Sequence, residues 1–222
     1  FMNAGQICIA PDYMLAHKDI HDELLDIMKR VIHEFYGDDP STSADYGRII
    51  NQTHFRRVSS LISGEIVTGG QMSREERYIA PTIIDNVSWD SSLMENEIFG
   101  PVLPVMEYRD IEDVLPVLRE KPSPLALYLF TTDSKIEKKV LDETSSGGVC
   151  INHTVLQASP AGLPFGGVGE SGMGSYHGKA TFDSFSHYRS IMKKSFRFDN
   201  GLLYPPYIRV DGLIKKLFGW LG

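Results

Sequence analysis

Cys8 is the side chain in this sequence best suited to nucleophilic chemistry. It closes the small-residue turn Phe1-Met2-Asn3-Ala4-Gly5-Gln6-Ile7-Cys8 and precedes an apolar run, Ile9 to Leu15, that reads as a strand. A thiol of ordinary pKa, about 8.5, is only roughly 3% thiolate at pH 7. A working nucleophile therefore needs a helix N-terminus, a cation or a base beside it. The alternative fate of a lone cysteine is burial as a small hydrophobe. Cys150, inside the short strand Val149 to Ile151, takes that second reading. His177 and His187 are the imidazoles that could serve Cys8 as a base, and either pairing would make a cysteine hydrolase or acyltransferase.

Other reactive-looking residues weaken on inspection. His17 and His21 stand four apart, but no further ligand lies near them, and they read as solvated residues at a helix entry. Gly167-Val168-Gly169-Glu170-Ser171-Gly172 matches Gly-x-Gly-x-x-Gly. A dinucleotide fingerprint must follow a strand, whereas here Pro160 and Pro164 lead in. These glycines read instead as a loop needing positive φ and close backbone packing. Taken alone, Glu97 reads as a surface carboxylate and Phe99 as a core ring.

The elements that must position these residues follow from periodicity. Ile20, Leu24, Met28, Val31 and Phe35 recur at helical spacing, with Asp19 as a cap and Gly37 as a stop. Asn51 caps a second helix carrying Phe55, Val58, Leu61 and Ile62, ending at Gly64. Residues 65–68 and 78–87 read as strands joined by a polar link, and 101–108 as an apolar strand. Asp110 caps a helix that Pro116 should bend or shorten. Leu125 to Phe130 is a continuous apolar run, as in a strand covered on both faces. Asp133 or Ser134 opens a helix that Gly147-Gly148 stops before the Cys150 strand. This alternation predicts an α/β fold with a mainly parallel sheet and flanking helices. The stretch from His153 to Gly178 has little periodicity, and its length marks a functional loop. Phe182, Phe185 and Tyr188 then predict a return to order.

Composition narrows the partners. A net charge of −7 with no Lys/Arg stripe argues against nucleic acid. Two cysteines make neither a disulfide framework nor a metal spacing, which suits a reducing, cytoplasmic setting. Neither a signal-peptide pattern nor an apolar run of about 20 residues is visible. In the tail, residues 201–222, apolar Ile214, Leu217, Phe218 and Leu221 stand beside Lys215 and Lys216. They predict a short amphipathic helix that would contact a partner subunit or a membrane surface without spanning it.

Three motifs occur in one order: Phe-x-Asn-x-Gly-Gln-x-Cys at 1–8, Glu97-Ile98-Phe99-Gly100-Pro101, and Leu163-Pro164-Phe165-Gly166-Gly167 with Ser171-Gly172-x-Gly174. Together they resemble the NAD(P)-dependent aldehyde dehydrogenases over roughly residues 1–190. Ala10-Pro11-Asp12-Tyr13, Tyr78-Ile79-Ala80-Pro81-Thr82-Ile83 and the stretch from Gly172 to Gly178 are most similar to the class 3 branch, which includes fatty and aromatic aldehyde dehydrogenases. The resemblance implies that residues 1–200 are the C-terminal portion of the catalytic domain and 201–222 a tail. The dinucleotide-binding domain, the general-base glutamate and an oxyanion asparagine would then lie upstream of Phe1. It implies aldehyde as substrate, NAD or NADP as cofactor and a homodimer as the assembly. Cys8 would be the nucleophile, Glu97 would bind the hydroxyls of the nicotinamide ribose, and Phe99 would pack on the nicotinamide side. The glycine loop would lie near the site entrance. Asn152 and His153, at the end of the Cys150 strand, are weaker candidates for the substrate channel. The rivals are the cysteine hydrolase, a non-catalytic dimerisation module, and an acylating enzyme that hands its thioester to coenzyme A.

Overall fold

The computed structural model describes residues 1–199, 204, 205 and 212. The chain divides into two compact units, Phe1–Phe185 and Ser186–Gly222. The elements of the first are, in chain order, β1 (Met14–His17), α1 (His21–Tyr36), α2 (Gln52–Leu61), β2 (Glu65–Thr68), β3 (Met72–Ser73), β4 (Tyr78–Ile79), β5 (Thr82–Asp85), β6 (Val102–Tyr108), α3 (Ile111–Glu120), β7 (Ala126–Leu129), α4 (Ser134–Glu143), β8 (Gly148–Ile151) and α5 (Gly178–Ser184).

The main sheet has the order β1-β6-β5-β2. Its first three strands run parallel, and β2 is antiparallel at the edge. The expected α/β class with a mainly parallel sheet is what forms. Successive residues of a strand face opposite ways, and the two cores follow from that. Ile83 and Val105 face α1, packing with Ala16, Leu25 and Ile32. Ile84 and Val102 face α2, packing with Ile49, Phe55, Val58 and Ile98. A fully buried aliphatic side chain of this size contributes roughly 1.5–3 kcal/mol.

Several local expectations shift. The buried stripe of α1 is His21, Leu25 and Ile32, one position on from the expected one, leaving Ile20 and Phe35 exposed. The cause is polar: His21 is 5% exposed, and its two ring nitrogens lie 2.8 Å from Asp22 Oδ1 and Asp85 Oδ1. A buried imidazole bonded on both sides fixes the helix register against β5. His21 is therefore a buried anchor, not a solvated residue, and Asp19 pairs with Lys18 instead of capping the helix. The strand expected over Ile9 to Leu15 begins only at Met14, because Ile7 to Ala10 form a turn and Asp12 bonds elsewhere. The apolar run at 125–130 is half-buried: β7 pairs in parallel only with β8 in a separate two-stranded sheet.

The other expected helix caps form. Asn51, Asp110 and Asp133 accept from the N–H groups of His54, Glu112 and Lys135. Helix α3 runs to Glu120 with Pro116 inside it. In the second unit, Ile191, Met192, Phe196 and Phe198 are exposed, and residues 186–195 form no helix or strand. The tail helix expected around 214–221 lies outside the described residues. No described helix is long and apolar enough to cross a membrane.

Candidate active site

Cys8 is exposed and follows a left-handed hook in which Asn3 and Ala4 both have φ of 53° and Gly5 has 70°. A non-glycine residue held there costs about 1–3 kcal/mol, so the surroundings must impose the shape. The Gln6 carboxamide does much of this. Its Nε2 donates to the Asn3 and Arg48 carbonyls at 3.1 and 2.9 Å, and its Oε1 accepts from Ile50 N–H at 3.0 Å. The side chain thus pairs with residues 48–50 as a neighbouring strand would. Gly5 does the rest: a Cβ there would lie 2.1 Å from the Gly100 carbonyl oxygen. Ala10 N–H donates to the Ile7 carbonyl, and among the described residues no backbone bond uses the Cys8 N–H.

The second motif is therefore in contact with the first. Both segments feed the same end of neighbouring parallel strands, since β1 and β6 pair with Met14 opposite Val105. Asp12, four residues after Cys8, accepts from Ile98 N–H at 2.8 Å. Ile98 is 1% exposed, while Glu97 before it is exposed and Phe99 after it is 36% exposed. Burying the middle residue of the three turns its neighbours outward. Phe99 is itself strained, with φ of 50°, a genuine outlier for a bulky side chain. Helix α2 meets this turn on one face: His54 Nε2 donates to the Phe99 carbonyl at 2.7 Å, Arg57 donates to the Ile98 carbonyl, and Val58 lies against Gly100.

Charge gathers behind the turn. Burial, with Glu97 adding to it, holds the Asp12 carboxyl above the ordinary carboxylate range, although Ile98 N–H and Arg57 pull the other way. Glu97 makes no hydrogen bond or ion pair among the described residues. An exposed carboxylate can accept from two hydroxyls, and a half-open phenyl ring beside it offers a flat apolar wall. These residues fit the nicotinamide-ribose end of NAD or NADP.

The other candidates divide. Asn152 sits at φ 56°, and its amide is occupied by Thr131, accepting from its N–H at 2.8 Å and donating to its carbonyl at 3.0 Å. It ties the ends of β7 and β8 together. His153 is exposed, with Nδ1 on the Thr154 carbonyl at 2.6 Å. The ring of His177 lies among Phe165 and Tyr176, with its Nδ1 buried and unpartnered. His187 is exposed in the second unit. The glycine loop is held by backbone against backbone. A Cβ on Gly166 would meet Gly174 O at 2.1 Å, one on Gly167 would meet Ser171 O at 2.0 Å, and one on Gly147 would meet Gly166 O at 2.2 Å. This close packing, with Phe165 bridging to Tyr176, is what the glycines provide.

Sequence reasoning missed Asp12, Gln6, His54, Arg57 and Tyr128, whose O–H donates to the Ile9 carbonyl at 2.6 Å. The signal for Asp12 was present: a carboxylate interrupting an apolar run four residues after the cysteine. Gln6 lies inside the first motif, but its bonds to residues 48–50, like those of His54, Arg57 and Tyr128, reach backbone groups distant in sequence and leave no local pattern.

Residues 1–191 match the model of the aldehyde dehydrogenase family. The chain is 44% identical over 221 residues to the 4,4'-diaponeurosporen-aldehyde dehydrogenase of Staphylococcus aureus, covering 98% of this chain and 48% of that protein. It is 47% identical over 209 residues to the dimeric NADP-preferring aldehyde dehydrogenase of Canis lupus familiaris, covering 93% and 46%. It thus spans about half the length of these relatives. Among solved structures, the substrate-bound state of Staphylococcus aureus AldH superposes with a TM-score of 0.86 at 44% identity, over 98% of this chain and 48% of that one. An NAD-dependent aldehyde dehydrogenase from Sinorhizobium meliloti superposes with a TM-score of 0.77 at 26% identity, over 85% and 39%.

Proposed function

The chain belongs to the aldehyde dehydrogenase family, and from that premise we propose that its full-length protein oxidises fatty or aromatic aldehydes to acids through Cys8. The observation that carries this reading is the seating of the Cys8 hook on the Glu97–Pro101 turn, Gly5 against Gly100 and Asp12 on Ile98 N–H. It puts a presented thiol, a free carboxylate and an aromatic wall on one end of the β1–β6 pair.

The Cys8 sulfur, as thiolate, attacks the aldehyde carbon and leaves a thiohemiacetal oxyanion. The Cys8 N–H, free of backbone partners, donates to that oxygen; losing such a donor typically costs about 3–4 kcal/mol in the transition state. NAD or NADP would supply the hydride acceptor when bound. Glu97 would hold the ribose hydroxyls, and Phe99 would limit where the ring lies. Cys8 then carries the acyl group as a thioester until water releases the acid and restores the thiol. Asn152 and His153 are exposed at the mouth of the β7–β8 pair, where a substrate chain would pass. Residues 1–200 act as the catalytic portion and 201–222 as a tail contacting a second copy or a membrane surface. A homodimer is the proposed assembly; the name of the canine relative calls that protein dimeric. Since the chain spans about half of its relatives, the 222 residues alone are expected to turn over no aldehyde.

The test is NAD(P)H formation by the full-length protein with fatty and aromatic aldehydes. Turnover is expected, with a Glu97→Gln variant raising the cofactor KM about ten-fold, the loss of roughly 1.5 kcal/mol of charge-assisted bonding. No NAD(P)H with any aldehyde would refute the proposal.

A further inference from the structure

Helix α2 touches three consecutive residues of the second motif. His54 bonds the Phe99 carbonyl, Arg57 bonds the Ile98 carbonyl, and Val58 packs on Gly100, where a Cβ would come within 2.8 Å. Positions 54, 57 and 58 share one face of a helix, so a single rigid element makes all three contacts. The face is itself anchored: Val58 is fully buried, and Asn51 caps the first turn on the N–H of His54. The residue it grips is the strained one. Phe99 lies at φ 50° with more than a third of its surface open, so its ring is not locked by packing. Relaxation to negative φ would move the ring relative to the Phe99 carbonyl that α2 holds. The His54 ring also meets the Phe99 ring edge to face, with centroids 6.2 Å apart.

We infer that His54 is a positioning residue for Phe99: by donating from Nε2 to the Phe99 carbonyl, with Arg57 holding the preceding carbonyl, α2 keeps Phe99 in its left-handed conformation and so sets its ring against the nicotinamide. This rests on the reading of Glu97 and Phe99 as the cofactor-facing pair. The donating atom fixes the ring's state: Nε2 must carry a proton, as it does in the cation and in one neutral tautomer.

The experiment compares His54→Leu with His54→Gln in the full-length protein. Leu fills the space without a donor, whereas Gln can donate to the same carbonyl. The probe is NADPH, read by its affinity and by the fluorescence lifetime of the bound reduced nicotinamide, alongside the rate of NADPH formation with a saturating aldehyde. His54→Leu should shift the bound lifetime toward the free value and slow NADPH formation about ten-fold, the scale of one lost hydrogen bond. The dissociation constant and the aldehyde KM should move less than about three-fold. His54→Gln should recover most of both losses. If Leu and Gln behave alike, or both match the parent, the positioning role is wrong. Phe99→Ala and Glu97→Gln separate the two levels. If they impair NADPH binding or formation while His54→Leu does not, the cofactor reading stands and the inference about His54 falls. If they too have no effect, the cofactor reading fails and takes this inference with it.

Discussion

The hook and turn around Cys8 and Glu97–Phe99 are built differently from the glycine loop that follows β8. In the first region, strained backbone is held by side chains reaching in from elsewhere: Gln6, Asp12, His54 and Arg57 each bond a main-chain group. In the second, Gly147, Gly166 and Gly167 let main chain lie directly on main chain. The difference teaches where each region is vulnerable. The first has one main-chain contact of its own, Gly5 on Gly100, but most of its geometry is lost when a donor or acceptor is removed. Among the described residues the second has no side-chain bonds of that kind at these glycines, and it gives way when a Cβ is added to one of these three.

The largest contrast should come from Cys8→Ser in the full-length protein. Aldehyde-dependent NAD(P)H formation should fall by at least about a thousand-fold, since the proposed nucleophile is lost, while thermal stability is retained. Next comes the loop. Gly166→Ala forces a Cβ onto Gly174 O, and overpacking of this kind costs about 1–3 kcal/mol in urea unfolding. Gly162→Ala, in open space and without a positive φ, should be neutral or slightly stabilising. Equal effects at the two positions would erase the distinction. Asp12→Leu leaves the Ile98 N–H unpaired and should cost about 1–3 kcal/mol, with a larger loss in cofactor binding than Gly166→Ala produces.

The smallest effect lies outside both regions and serves as their baseline. Burial pulls the His21 pKa down, but hydrogen bonds to Asp22 and Asp85 and their charges outweigh it, leaving it above the ordinary value. A raised folded-state pKa stabilises fully below the unfolded value, about 6.5, and the gain is lost as pH rises through the folded value. The stability margin of the parent over His21→Gln, measured by denaturant titration, should therefore shrink from pH 6 to pH 8. A margin that grows with pH would contradict this.

Much of the architecture was legible because it is written in local chemistry. Asn51, Asp110 and Asp133 cap their helices because a short polar side chain can reach an N–H two or three residues on. The α/β alternation follows from strand and helix periods. The register of α1 was not legible, because it depends on His21 meeting Asp85, sixty-four residues away. The Cys8, Glu97 and Phe99 candidates came from motif wording, and what joins them did not. Gly5 against Gly100 and Asp12 on Ile98 are contacts across more than eighty residues, and no periodicity records a partner at that distance.

The central claim is that Cys8 sulfur carries the acyl group. The direct measurement is to mix full-length protein with a long-chain or aromatic aldehyde and NAD(P), quench in acid during turnover, and map peptide masses. An acyl mass increment on the peptide containing Cys8, absent without cofactor, is the expected result. NAD(P)H formation with Cys8 unmodified throughout, and retained in Cys8→Ser, would contradict it.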